Sequence, residues 1–176
     1  MSEPLGATLE HWHDFYVLVG TAAATLVALL FVAASIGAGF LRAEGAAATR
    51  IYMSPVVVHF TSVLVACAVG LVPSHTRMSL ALIIGAGAVG GLAVSGHLLV
   101  RVLKDPSTDW SDNLAYGIAP AVGYLAALVA AVLFLVGSPR APEVLAGALI
   151  WLLVDNIRNA WDLALFMARK QSEAKR

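Results

Sequence analysis

Five long apolar runs, joined by connections too short to hold a folded unit, constrain this chain more than any other feature. The runs cover about residues 15–40, 52–72, 78–103, 114–136 and 142–168. A helix rises about 1.5 Å per residue, so crossing a hydrocarbon core of about 30 Å takes about 20 apolar residues. Every run meets that length, and none shows the alternation of a barrel strand. Apolar residues make up 60% of the 176-residue chain and charged residues only 12%, against about 25% charge in soluble domains. A soluble chain of this size has too little interior to hide so much apolar surface. The expected fold is therefore an all-α integral membrane bundle of five transmembrane helices. Residues 1–176 are read as a single transmembrane domain, with the lipid bilayer as its solvent.

The connections 41–51, 73–77, 104–113 and 137–141 carry loop punctuation such as Pro73, Pro106 and Pro139. Orientation follows from their Lys and Arg residues, which concentrate on the cytoplasmic side of membrane proteins. Arg42, Arg50, Arg101, Lys104, Arg169, Lys170, Lys175 and Arg176 share one side, and only Arg77 and Arg140 fall on the other. That bias puts the N-terminus outside and the C-terminus in the cytoplasm. The first fourteen residues contain Glu3, Glu10 and Asp14 but no Lys or Arg. They lack the basic start of a signal peptide, so the first run is read as a retained span. Lys plus Arg equals Asp plus Glu at 11 each, which gives no sign of a nucleic-acid partner.

Small residues mark close helix approach. Gly87 and Gly91 form a GxxxG in the third run, and Gly20, Ala24 and Ala28 repeat every four residues in the first. Such stripes fit either packing within the chain or the seam of a homo-oligomer. Pro120, between Gly117 and Gly123, is expected to kink the fourth run. Trp12 and Trp110 fit interfacial anchors, while Trp151 lies rather deep. The single cysteine, Cys67, rules out a disulfide within the chain and reads as a packed hydrophobe.

The fifth run holds the strongest hint of function. Asp155, Arg158, Asn159 and Asp162 recur at i, i+3, i+4 and i+7, so the sequence places them on one helical face. Ionisable groups in a span are costly and are expected to face the bundle interior or water. His59, His97 and Ser35 fall at a similar depth in other runs, and Tyr124 or Tyr116 can join them from the fourth. Thr21, Thr25, Ala28 and Ser35 add a weaker stripe in the first. The leading reading is ion or proton permeation, or transport, through a buried polar network of His59, His97, Asp155, Arg158, Asn159 and Asp162. One alternative is a redox or membrane-anchor subunit with b-type haem as cofactor, His59 and His97 supplying two axial imidazoles. Another is a structural subunit of a larger membrane complex, whose polar groups only lock helices in register.

On the opposite side, His11 and His13 are two residues apart between Glu10 and Asp14, with His75 on the same side. The pair is a weak candidate for a divalent metal such as zinc or copper, since no third ligand is fixed. No phosphate-binding loop, GxSxG elbow, HExxH helix or TVGYG filter occurs, so nothing marks the chain as an enzyme. Two stretches carry a likeness. One is Trp12-His13-Asp14-Phe15 with Gly20-Thr21-Ala22-Ala23-Ala24 and Leu30-Phe31-Val32-Ala33. The other is Arg158-Asn159-Ala160-Trp161-Asp162-Leu163. Together they resemble uncharacterised small bacterial multi-span integral membrane proteins. The resemblance implies a multi-pass protein of the bacterial inner membrane and implies no activity.

Overall fold

In the computed structural model the described residues are 5–36, 46–103 and 117–173, with side chains described for 6–35, 55–100 and 117–165. Among them the chain is all-helical, with no strand. The helices are α1 (Leu5–His11), α2 (His13–Ile36), α3 (Ala46–Gly70), α4 (Arg77–Leu103), α5 (Ala119–Leu135) and α6 (Ala141–Glu173). Helices α2 to α6 correspond in order to the five apolar runs. Two stretches, His13–Ser35 and Arg77–Val100, are long and apolar enough to cross a membrane, and Pro55–Gly70 and Ala119–Leu135 are shorter apolar stretches. Arg42, Lys104, Trp110, Tyr116, Lys175 and Arg176 lie outside the described residues. Arg50, Arg101, Arg169 and Lys170 lie in helices, with side chains outside the described set.

Local chemistry sets the helix ends. At α4 the Ser79 N–H donates to Thr76 Oγ1 at 3.1 Å, and the Thr76 N–H donates to Ser79 Oγ at 2.9 Å. This reciprocal pair is a capping box with serine in the glutamate position. At the end of α5, Gly137 takes φ +69°, a left-handed conformation open to glycine at little cost. There the Ser138 N–H reaches the Leu133 carbonyl at 2.9 Å and closes the helix. Pro120 sits in the first turn of α5. The residues just before it, 117–118, are π-helical, an irregularity of the kind that accompanies a bend, at the place where the sequence puts a kink. The proline inside a helix is Pro55, in α3.

Helix α4 packs on α5, α5 on α6, α6 on α3 and α3 on α4, so four helices close a ring, and α2 lies against α3 and α6. Missing side chains allow the tightest approaches. A Cβ at Gly20 would lie 3.1 Å from Cys67 Cβ, and one at Gly70 would lie 2.9 Å from the Tyr16 ring, which joins α2 to α3. A Cβ at Gly91 would overlap the Tyr124 ring, and one at Gly117 would lie 2.8 Å from Leu99, which joins α4 to α5. A Cβ at Gly123 would lie 2.6 Å from Leu152, joining α5 to α6. The outer surface keeps large apolar side chains exposed, among them Leu18, Phe31, Leu82, Val129, Val154 and Trp161.

The two small-residue stripes therefore divide. Gly91 is buried under Tyr124, while nothing lies within 4 Å of a Cβ at Gly87. Gly20 packs on Cys67, while Ala24 and Ala28 are exposed. Overpacking a tight contact costs about 1–3 kcal/mol, whereas surface changes stay within about 0.5 kcal/mol. Gly91→Ala is expected to fall in the first range and Gly87→Ala in the second, as read by reversible unfolding in detergent. Equal effects at the two sites would contradict the packing described.

Candidate functional site

Tyr124 stands at the centre of the ring. Its hydroxyl and His59 Nδ1 are hydrogen-bonded at 2.7 Å, and the two rings lie 5.4 Å apart at a 47° tilt. The bond ties α3 to α5 across the interior, while Gly91 of α4 supports the ring from another side. His59 is 2% exposed, and its Nε2 has no hydrogen-bond partner among the described residues.

Polar groups continue below this pair. Ser95 follows Gly91 by four residues, so it lies one turn further along the face of α4 that Tyr124 touches. Asn156 follows Leu152 by four, one turn further along the face of α6 that meets Gly123. Both steps run toward the C-terminal ends of their helices, hence toward the same end of the ring. Ser95 is fully buried and Asn156 is 1% exposed, and neither the Ser95 hydroxyl nor the Asn156 amide has a partner among the described residues. Beside Asn156 the Asp155 carboxylate is 8% exposed and accepts a 3.4 Å hydrogen bond from Asn159 Nδ2. By helix register and burial, His59, Tyr124, Ser95, Asp155, Asn156 and Asn159 line one polar seam toward that end of the ring.

This seam differs from the layer read in the sequence. His59, Asp155 and Asn159 are inside it, with Tyr124. Arg158 and Asp162 are exposed. Each residue advances a helix by about 100°. The buried arc of α6 runs through Leu152, Asp155, Asn156, Asn159 and Leu163, and is centred between Asp155 and Asn156. Arg158 and Asp162 fall on the far side of Asp155 from that centre. Arg158 also forms no ion pair with either aspartate; the ion pair among the described residues is His13–Asp14. His97 is exposed, because two residues beyond Ser95 the helix has turned to its outer side. The two imidazoles proposed for haem therefore do not face one another.

The stripe on α2 also points outward. Thr21, Thr25, Ala28 and Ser35 are exposed, and the Thr25 and Ser35 hydroxyls each donate at 2.8 Å to a carbonyl one turn back, those of Thr21 and Phe31. Such back-bonding satisfies a hydroxyl without a partner helix. Trp151, deep in the sequence reading, donates its indole N–H to the Ala119 carbonyl at 2.8 Å. His11 and His13 are exposed, His13 Nδ1 lies 3.1 Å from Asp14 Oδ1, and His75 Nδ1 lies 3.1 Å from Ser79 Oγ. Among the described residues no three His, Cys, Asp or Glu side chains gather as a metal site.

Sequence reasoning missed Ser95 and Asn156. The signal for Asn156 was its place beside Asp155 in a charged run, and for Ser95 its spacing of four from Gly91. No protein-family model, no curated protein and no solved structure matches the chain.

Removing one side of a buried hydrogen bond leaves the other unsatisfied, at about 1–3 kcal/mol. Tyr124→Phe and His59→Leu are each expected to destabilise in that range. Coupled neighbours deviate from additivity by about 0.5–3 kcal/mol, so the double variant should lose less than the two single losses together. Unfolding measured for the three variants checks this, and strict additivity would mean that the bond contributes nothing.

Proposed function

We propose that this is a five-span protein of the bacterial inner membrane that passes protons or small cations through the seam. The observation that carries the reading is a buried aspartate in a part of the ring where the Ser95 hydroxyl, the Asn156 amide and His59 Nε2 have no partner among the described residues, inside otherwise apolar helices. Buried polar atoms of this kind ordinarily hold water, and a carboxylate kept inside membrane helices marks an ion or proton path. Asp155 is the group that exchanges the proton or holds the cation. Asn159 orients its carboxylate, Asn156 and Ser95 hold the water, and the His59–Tyr124 pair forms the deep end.

The membrane setting draws support from the apolar outer surface, from the two long apolar helices and from the self-satisfied hydroxyls of α2. The orientation draws support from the distribution of Lys and Arg. The Arg77 side chain also lies against Gly137, so the two arginine-bearing turns meet at one end, as a five-span topology requires. A reporter placed after Arg176 should read cytoplasmic and one placed before Met1 external. Both on the same side would remove the five-span topology.

Purified protein in liposomes with an entrapped pH dye should dissipate a proton gradient. Asp155→Asn keeps the shape and the hydrogen bonding but cannot carry the charge, and should lower the flux at least about tenfold, equivalent to about 1.4 kcal/mol at the barrier. Glu143→Gln, exposed in the first turn of α6 and far from the seam, should leave it within about twofold, given the small energies of charges exposed to water. Wild-type liposomes no leakier to protons, sodium or potassium than empty ones would overturn the reading.

A further inference from the structure

Beside the seam lies a second feature, which shares only Tyr124 with the proposed passage. A cavity of about 330 Å³ opens between α3 and α4 and is backed by α5 and α6. It exists because α3 is drawn toward α2 by the Gly20 and Gly70 contacts, and α4 toward α5 by Gly91 and Gly117. Its α3 wall runs from Val57 through Thr61 and Val65 to Val69, a length of about 18 Å at 1.5 Å per residue. A long apolar groove of this volume has room for an extended hydrocarbon chain. The length is close to one leaflet of hydrocarbon, about 15 Å of a core of about 30 Å.

The walls are almost wholly apolar; Thr61, Ser62 and Tyr124 carry the polar atoms, and the Ser62 hydroxyl is already bonded to the Val58 carbonyl at 2.9 Å. An apolar cavity stays dry and takes apolar ligands. One end of the groove, at Val69 and Leu145, approaches the turns 71–76 and 137–140. Exposed arginines stand at that same end. Arg77 precedes Ile84 of the groove wall by seven residues, two turns away on the same face, and Arg140 precedes α6. A guanidinium there is suited to a phosphate group at the membrane surface.

We propose that the groove between α3 and α4 binds one acyl chain of a phospholipid, from the leaflet on the side of the 71–76 and 137–140 turns, with Arg77 at its phosphate. The inference rests on the membrane-spanning part of the reading above and not on proton passage. The chain enters sideways from the bilayer, past Val65 and Gly87, and its end stops near Tyr124.

Gly87→Leu fills the groove at a position where the added side chain meets open space, and Val65→Phe fills it from α3. Wild type and both variants would be purified in mild detergent and titrated with dioleoyl phosphatidylglycerol, with binding read by native mass spectrometry and by the melting temperature. Wild type should retain one lipid and melt higher as lipid is added. Both filled variants should bind at least about tenfold more weakly, a loss of about 1.4 kcal/mol. Arg77→Gln should weaken phosphatidylglycerol while leaving dioleoylglycerol, which lacks phosphate, unchanged. Equal lipid retention by wild type and both filled variants would overturn the proposal. So would a wild-type dimer that Gly87→Leu abolishes without changing lipid binding, since a second copy would then occupy the groove. Proton flux is measured on the same samples: lipid loss with flux retained supports the groove alone, and flux absent with lipid retained overturns only the passage reading.

Discussion

The interior depends on one ring held from two sides. Tyr124 is held by a hydrogen bond to His59 on one helix and by the bare backbone of Gly91 on another. Because its own helix is also pressed against Leu152 through Gly123, the ring fixes the mutual position of α3, α4, α5 and α6. Removing the hydroxyl leaves an unsatisfied imidazole in an apolar interior; enlarging Gly91 pushes the ring away. A polar bond and a packing contact, each modest, thus specify the same arrangement, and that agreement between levels gives a sequence a single structure.

Around this point the molecule divides polar from apolar along the axis of the ring. Toward the C-terminal ends of α4 and α6 the inner side chains are Ser95, Asp155, Asn156 and Asn159. Toward the opposite end they are mostly valine, isoleucine, leucine and alanine, with Thr61 and Ser62 among them, and the space between is the lipid groove. Tyr124 suits the boundary because its ring faces hydrocarbon and its hydroxyl faces polar partners. Trp151 solves a similar problem on the outside of α6, where its exposed indole is apolar surface and its N–H is satisfied by a backbone carbonyl.

Length and hydropathy made the helices legible, and α2 to α6 fall on the five apolar runs with shifts of a few residues at their ends. Some of the ends have local causes. The capping pair Thr76–Ser79 starts α4 at Arg77, and Pro120 lies in the first turn of α5. The polar layer was half legible. Spacing alone grouped Asp155, Asn159, Arg158 and Asp162, but spacing does not say where the centre of the buried arc lies. That centre is set by neighbours, by Gly123 receiving Leu152 and by α3 receiving Leu163, and it brings in Asn156 and leaves out Arg158 and Asp162. The same limit applies to GxxxG: its pattern announces that a helix can come close at Gly87 and Gly91, and only the partner's position shows that it does so at one of them.

The order of the contacts also has a consequence for how the chain is made. The tightest packing joins helices adjacent in sequence, α2 to α3, α4 to α5 and α5 to α6, while the ring closes only when α6 meets α3. Pairing of neighbours requires short loops and little search. During synthesis α2 and α3 can settle as one hairpin while the ribosome still holds the rest. The aspartate that enters last, on α6, then arrives as its chamber is completed, and its charge is not left facing the surroundings of a half-built bundle.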